Sequence, residues 1–471
     1  MTMKYQLVVA HDRKTRGIGA KGQLMWHIPD DLAYFRALTT KTYDPARKNA
    51  VVMGRITRES IGKDLPGRHN IVISSSGAFK SLDEGLEAAQ ALGAESIFVI
   101  GGEALFREAL ASPLCAAVHV TEVVSSVELD GVVADRFFPT LDVAEWAPWG
   151  ADTGFRTSGQ LRYRRASFVR SSTLDFRMPP AALPHQEEAY LTLVSKAINT
   201  GLHRVDRTGT GTRSLFGEQI RFSLRDGALP LLTTKRVFTR GVVEELLWFV
   251  RGCTDARELA SKGVHIWDAN AKAFAATAAF AKHKEVGVDV EEGVLGPVYG
   301  HQWRHFGAPY QGRGGVDQLA EVVRMLRNEP FSRRIMLSAW NPVDLSAMAL
   351  PPCHVLAQFW VNDEEVSCMV TMRSCDLGLG LPFNIASYAM LVHMVATLAE
   401  LKVGDLVFSL GDAHVYEDHV TALSGQVDRS LRPMPRLVPL TSLAKLEEYT
   451  PQHFVVNGYN PHPAVAMAMS V

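Results

Sequence analysis

The sequence predicts two domains of different class: an α/β domain on a mostly parallel sheet flanked by helices, then an α+β domain. Three observations carry this. Strand-like and helix-like segments alternate over the first 170 residues, and a polar, proline-rich stretch, SSTLDFRMPPAALP (171–184), interrupts them. Beyond it, helical patterns are followed by a run of strands. At 471 residues the chain also exceeds what one ordinary core supports. The expected division is residues 1–170, a linker at 171–184, and residues 185–471.

Taken in order, YQLVVA (5–10) is a short β-branched run and reads as a strand. DDLAYFRALTT (30–40) opens on two acids and repeats apolar residues at helical spacing. NAVVMG (49–54), HNIVIS (69–74), SIFVIGG (96–102) and AAVHVTEV (116–123) read as further strands, separated by helices at LDEGLEAAQALG (82–93) and EALFREAL (103–110). After the linker come helices at HQEEAYLTLVSKAINTG (185–201) and RGVVEELLWFVRG (240–252), then strands at RRIMLSAW (333–340), HVLAQFWV (354–361) and EVSCMVTMRS (365–374). ASYAMLVHMVATLA (386–399) is shorter than the roughly 20 residues of a membrane helix and contains His393, so it reads as a core helix.

Lys and Arg total 49 against 50 Asp and Glu, so no global field recruits nucleic acid or a membrane, and any anion site must be local. The five cysteines (115, 253, 353, 368, 375) are odd in number and lack a CxxC pair. That argues against a disulfide framework or a zinc site and for a reducing compartment, here the cytoplasm. The opening MTMKYQLVVAHD runs straight into a strand pattern with no signal-peptide architecture.

One cysteine sits in an unusual place: ALPPCHVLAQF (349–359) sets Cys353 after two prolines. Proline fixes φ and donates no hydrogen bond, so the thiol is held by a stiff elbow. A small apolar residue closing a strand end is the plain alternative. Positive charge activates a thiol, and arginines stand in dense settings at DRTGTGTRS, PFSRRIML and MRSCD. Converging guanidinium forks suit a phosphate dianion, although each alone reads more readily as a surface charge. A Cys-His hydrolase on PPCH is disfavoured, because neighbouring side chains on a strand point to opposite faces. In the first half, Asp31 opens a helix whose Leu32 and Phe35 face one way; it is either a helix-start charge or the carboxylate that a protonatable heterocycle needs. VIGGEALF puts a double glycine between strand and helix, where backbone can approach a pyrophosphate.

DRTGTGT, LPLLTTKRVF, EELLWFVRG, LGPVYGHQWRHFG, SRRIMLSAWNP, ALPPCH, RSCDLGLGLPFNIASY, GDAHVY and the terminal GYNPHPAVAMAMSV occur in order over 185–471 and resemble thymidylate synthase. The resemblance implies a mixed sheet with helices. It also implies that Cys353 attacks C6 of dUMP, so that C5 accepts a methylene group from 5,10-methylenetetrahydrofolate, giving dTMP and dihydrofolate. By matching position, Arg207, Arg333, Arg334, Arg373 and Ser374 bind phosphate, with Arg333 and Arg334 crossing from a second subunit, hence a homodimer. Asn384 reads the uracil, His414 and Tyr416 hold the ribose, and Glu245 organises proton transfer with Tyr299 and His354 nearby. Trp267 and Asp376 face the folate. Met372 stands where the family usually has glutamine, which changes the polarity behind the nucleophile.

VVAHDRKTRGIGAKGQLMWHIPDD, VVMGRIT, LPGRHNIVIS, VIGGEALF and VHVTEV likewise resemble dihydrofolate reductase over roughly 4–170, and the fused order resembles the bifunctional dihydrofolate reductase-thymidylate synthase family of protozoa and plants. The resemblance implies Asp31 for pterin binding and N5 protonation with Thr121 behind it, Val8, Leu32, Phe35 and Ile100 as pocket walls, and Arg68 for the folate tail carboxylate. Ala10, Ile18, Gly19, Arg55, Thr57, Ser74, Gly101 and Gly102 hold NADPH on this reading. Departures from the family pattern are Met25 before Trp26, Arg58 for a tryptophan, and Glu103 and Phe106 after the double glycine. Met25 is expected to loosen a loop that closes over cofactor, and Glu103 to weaken NADPH affinity by placing negative charge near a phosphate. No metal, membrane or nucleic acid is required for catalysis on this reading. A ligand-binding protein that retains both folds without turnover is the alternative.

Overall fold

The computed structural model describes residues 3–124, 133–173, 176–206, 208–285, 288, 290–312 and 314–469. The chain divides into two compact units, Met1–Gln186 and Glu187–Val471.

In the first unit the strands are β1 (Tyr5–Asp12), β2 (Gly17–Gly19), β3 (Asn49–Gly54), β4 (Arg68–Ile73), β5 (Ile97–Val99), β6 (Cys115–Val124), β7 (Arg136–Phe137), β8 (Trp146–Ala151), β9 (Arg156–Ser158) and β10 (Leu161–Arg170). The helices are α1 (Pro29–Thr40), α2 (Arg55–Ile61), α3 (Leu82–Ala91) and α4 (Glu103–Ala111). The main sheet runs β4-β3-β5-β1-β6-β10-β8, with β9 alongside β10. From β4 to β6 every pairing is parallel, while β10 returns antiparallel to β6 and β8 antiparallel to β10. The parallel strands are buried on both faces, as Val51 to Met53 and Ile97 to Val99 illustrate, which is why they read as unbroken apolar runs. A small ladder pairs β2 with β7, Gly17 opposite Phe137 and Gly19 opposite Arg136.

The stretch read as a linker is packed rather than free. Met178 is buried in a small core with Ala117, Ala147 and Val169, and its carbonyl accepts from the Tyr43 hydroxyl at 2.9 Å. Composition registered the prolines and missed the apolar residues between them.

The second unit carries α5 (Glu188–Thr200), β11 (Leu202–Arg204), β12 (Thr212–Ser223), α6 (Thr239–Val250), α7 (Ala256–Ala260), α8 (Asp268–Ala275), α9 (Ala278–Glu285), α10 (Tyr299–His305), α11 (Gln318–Asn328), β13 (Met336–Ser338), β14 (His354–Asn362), β15 (Glu365–Asp376), α12 (Gly380–Leu398), β16 (Lys402–Tyr416), α13 (Val420–Val427), β17 (Arg436–Leu437) and β18 (Val456–Asn457). Its six-stranded sheet runs β11-β12-β16-β15-β14-β13; only β15 and β16 are parallel, joined through α12, so the sheet is mixed. One face is core: Ala357, Phe359, Cys368, Val370, Phe408 and Ile220 pack with α6, α10 and α12 residues such as Trp248, Trp303 and Tyr388. Among the described residues α12 alone is long and apolar enough to cross a membrane, and its residues 385–396 are all buried inside this unit. On the opposite face the register aligns Met336, Gln358, Met369, Val407 and Arg221 in one row. Met336 is 42% exposed and nearby Trp360 56%, so large apolar groups on this face lie open.

Candidate active sites

The first site is a cavity of about 1590 Å³ at the carboxyl ends of the parallel strands, the usual place for a ligand in an open α/β sheet. All fifteen residues assigned to folate and NADPH in the first half line it: Val8, Ala10, Ile18, Gly19, Asp31, Leu32, Phe35, Arg55, Thr57, Arg68, Ser74, Ile100, Gly101, Gly102 and Thr121. Strand ends deliver most of them. Val8 and Ala10 come from β1, Thr121 from β6, Ser74 follows β4, and the two glycines lie between β5 and α4.

Asp31 sits in the first turn of α1, half-buried, and its carboxylate accepts from the Thr121 hydroxyl at 2.6 Å. Burial raises its pKa; the Thr121 hydrogen bond and the Arg165 charge oppose that rise. The result is a proton-capable carboxyl at an apolar wall. Arg68, also lining the cavity, is buried, lies 5.6 Å from the Phe35 ring centroid, and donates to Thr39 Oγ1 and the Pro66 carbonyl. Among the described residues no carboxylate pairs with it, leaving a desolvated cation for an incoming anion. Arg55, by contrast, already pairs with Glu59 on α2.

In the second unit Arg373 explains the elbow before β14. Its Nε donates to the Pro352 carbonyl and its Nη2 to the Pro351 carbonyl, both at 2.8 Å, and Nη2 stands 3.9 Å from Cys353 Sγ. The Cys353 amide donates to the Tyr299 hydroxyl at 2.7 Å. The prolines therefore contribute acceptors as well as stiffness. Tyr299 stacks on His354, centroids 4.0 Å apart, and His354 Nδ1 lies 2.8 Å from the Tyr388 hydroxyl. Burial pushes the His354 pKa down to about 3, so this imidazole stays neutral and bonded to tyrosine, which weighs against a thiol-histidine hydrolase. Tyr388, on α12, was missed by sequence reading; the apolar run around it masks its polar tip.

Glu245 is buried on α6, where Trp267 Nε1 donates to its carboxylate at 2.8 Å. Burial raises its pKa to about 7, a value suited to moving protons at neutral pH. Asp376 holds the turn that starts α12, accepting from the amides of Gly378, Leu379 and Gly380. Ser374 pairs in register with Asp412, and Asp376 with His414. His414 Nδ1 contacts Asp412 at 3.1 Å, and its ring meets Tyr416 edge-on at 5.3 Å. Asn384 lies half-buried on α12, and its amide makes no hydrogen bond to another described residue.

Arg333 and Arg334 are exposed just before β13 and form no ion pair among the described residues. Arg207 lies outside the described residues. Next to it in sequence, the Asp206 carboxylate accepts from the Thr208 amide and hydroxyl and from the Gly211 amide. An aspartate opening a Gly/Thr turn is a readable signal that the sequence analysis passed over. Met372 is 2% exposed and lies across from His354 in the β14–β15 ladder, pointing into the core.

A thymidylate synthase family profile matches residues 188–471 and a dihydrofolate reductase profile matches residues 4–168. The bifunctional dihydrofolate reductase-thymidylate synthase of Zea mays is 43% identical over 518 residues, covering 99% of this chain and 97% of that protein. Those of Leishmania major and Paramecium tetraurelia are 41% and 40% identical, over 99% and 97% of this chain and 95% and 96% of theirs. The chain belongs to the bifunctional dihydrofolate reductase-thymidylate synthase family. As a member it methylates dUMP to dTMP with 5,10-methylenetetrahydrofolate and reduces the dihydrofolate formed to tetrahydrofolate with NADPH. The residues of the first cavity fit the dinucleotide. Gly54 N donates to the Gly101 carbonyl at 2.8 Å, tying two loops together. A Cβ at Gly101 or Gly102 would lie 3.4 or 3.5 Å from Thr57 Oγ1, so bare backbone keeps the approach to that hydroxyl open. When bound, NADPH supplies the hydride.

Proposed function

We propose that the two activities divide between the two units, residues 1–170 holding the reductase site and 185–471 the synthase site, with the residue roles below. In the reductase site Asp31, oriented by Thr121, binds the pterin and holds the proton destined for N5. Arg68 pairs with the tail carboxylate, and Val8, Leu32, Phe35 and Ile100 exclude water. Ala10, Ile18, Gly19, Arg55, Thr57, Ser74, Gly101 and Gly102 bind the cofactor; Arg55 exchanges Glu59 for a phosphate as it does so.

In the synthase site Cys353 Sγ bonds to C6 of dUMP, which makes C5 nucleophilic toward the methylene carbon; C5 then loses its proton, the bond from the methylene to the folate nitrogen breaks, and hydride from the folate completes the methyl group as Sγ departs. Arg207, Arg373 and Ser374 fix the phosphate, joined by Arg333 and Arg334 from a second copy of the chain. Asn384 reads the uracil and His414 and Tyr416 the ribose. Glu245 organises proton transfer with Tyr299 and His354 nearby, while Trp267, which donates to its carboxylate, and Asp376 face the folate. The observation that carries this reading is the fixing of Cys353 between the Tyr299 hydroxyl and the Arg373 guanidinium, an orientation fit for attack on a ring carbon at one angle. Support for a homodimer comes from the open sheet face and the unpaired Arg333 and Arg334 beside it. The free cysteines accord with a reducing, cytoplasmic setting.

Two single variants test the assignment. Cys353→Ser abolishes the covalent adduct with 5-fluoro-dUMP and methylenetetrahydrofolate, read by intact-protein mass spectrometry, and keeps dUMP binding within a small factor. Asp31→Asn removes most dihydrofolate reduction at neutral pH and leaves dTMP formation intact. An adduct on another cysteine, or equal loss of both activities in Asp31→Asn, refutes the roles.

A further inference from the structure

Glu103 is the first residue of α4, directly after Gly101–Gly102, and it lines the reductase cavity. A bare acid there should oppose a phosphate at the helix start. Its carboxylate, however, is already engaged on both oxygens. Oε1 accepts from Arg107 Nη2 at 3.1 Å, one helical turn along α4, and Oε2 accepts from the Phe137 amide at 3.2 Å. Phe137 belongs to β7, and β7 pairs with β2, the strand that brings Ile18 and Gly19 to the cavity. The arm made by β2 and β7 is internally tied: the Asp135 amide donates to the Gly19 carbonyl at 3.1 Å and the Phe138 amide to the Arg16 carbonyl at 2.9 Å. Next to Glu103's contact, Phe138 packs edge-on against Phe106 of α4, centroids 5.2 Å apart.

We propose that Glu103 is a positioning residue, a clasp that fastens the β2–β7 arm to α4 and so pre-organises the cofactor side of the cavity. It donates nothing to the dinucleotide. It spends its charge on Arg107 and its second oxygen on the arm, which keeps Ile18 and Gly19 in place before cofactor arrives. The proposal reverses the effect expected from sequence, where Glu103 counted as repulsion alone. It rests on the placement of NADPH against the double glycine.

The test uses the full-length chain with Glu103→Ala and Glu103→Gln. Glutamine retains an acceptor oxygen for the Phe137 amide and loses the charge; alanine loses both. NADPH affinity by fluorescence titration is expected to fall about three- to tenfold in Glu103→Ala, the worth of one hydrogen bond, and to stay within about twofold in Glu103→Gln. Amide hydrogen exchange of cofactor-free protein over 16–20 and 135–138 is expected to accelerate in the alanine variant and not in the glutamine variant. Exchange unchanged in Glu103→Ala overturns the clasp, as does NADPH binding that tightens in both variants. Faster exchange with unaltered NADPH affinity overturns the cofactor placement beneath it.

Discussion

Glu245 shows how far one residue departs from its ordinary chemistry. Its folded pKa, about 7, lies above the usual glutamate value because burial disfavours the carboxylate, and the neutral Trp267 donor offsets only part of that. A carboxyl whose pKa is raised on folding gives its full stability below the unfolded value and loses it as pH rises through the folded one. Between about pH 4.5 and 7 this residue therefore withdraws stability from the second unit. Glu245→Gln keeps an acceptor for Trp267 and removes that slope, so its denaturation midpoint exceeds wild type by more at pH 8 than at pH 5. The same variant lowers synthase kcat by about a hundredfold or more and abolishes the inflection near pH 7 in its pH profile. Cys353 and Asp31 were singled out in the sequence by the ordered motifs around them; the two prolines before one and the helix start under the other left a plain structural alternative open for each. The shift at Glu245 was not legible, because EELLWFV shows two adjacent acids and no sign of which one lies beside Trp267.

In the first unit the parallel strands of the main sheet were legible and the antiparallel β8 and β10 were not; in the second unit the antiparallel β14 and β15 were legible and β16 was not. β10 reads LRYRRASFVR, and its arginines obscure the alternation. In the fold Arg164 pairs with Glu122 at 2.7 Å and Arg165 with Asp152 at 2.8 Å, so a buried strand carries charges that look solvated in sequence. The turn after β11 gives the element-scale prediction. Asp206 holds the Thr208 and Gly211 amides, and the Thr208 hydroxyl hydrogen bond is the main reason its pKa is lowered. Asp206→Ala should raise KM for dUMP about three- to tenfold with a smaller change in kcat, since the segment 208–211, next to Arg207 in sequence, must then be ordered by substrate. Wild type should show the same loss as pH falls through the depressed pKa of Asp206, because a carboxylate lowered on folding stabilises only while ionised. Steady-state kinetics on both proteins check this.

At the scale of the whole molecule, the two sites differ in what they need. The reductase residues all come from one unit and gather around one cavity. The arginines proposed for the synthase site also belong to one unit, but Arg333 and Arg334 stand exposed beside a sheet face that bears Trp360 and Met336. On dilution into the range where sedimentation shows monomer, dTMP formation per chain should fall while dihydrofolate reduction per chain holds. A monomer at every concentration that still makes dTMP would sink the dimer. Sequence motifs named the arginines; nothing in them revealed the row of Met336, Gln358, Met369, Val407 and Arg221, which exists only once five strands fix their register.

The hold of Arg373 on the Pro351 and Pro352 carbonyls reaches into selectivity. One guanidinium both braces the backbone behind the thiol and, on the proposed reading, meets the nucleotide's phosphate. Recognition and aim then hang on a single lever. A nucleoside that lacks its phosphate is penalised twice, once in residence and once in the line of attack, and the enzyme rejects it by more than the missing ionic contact accounts for.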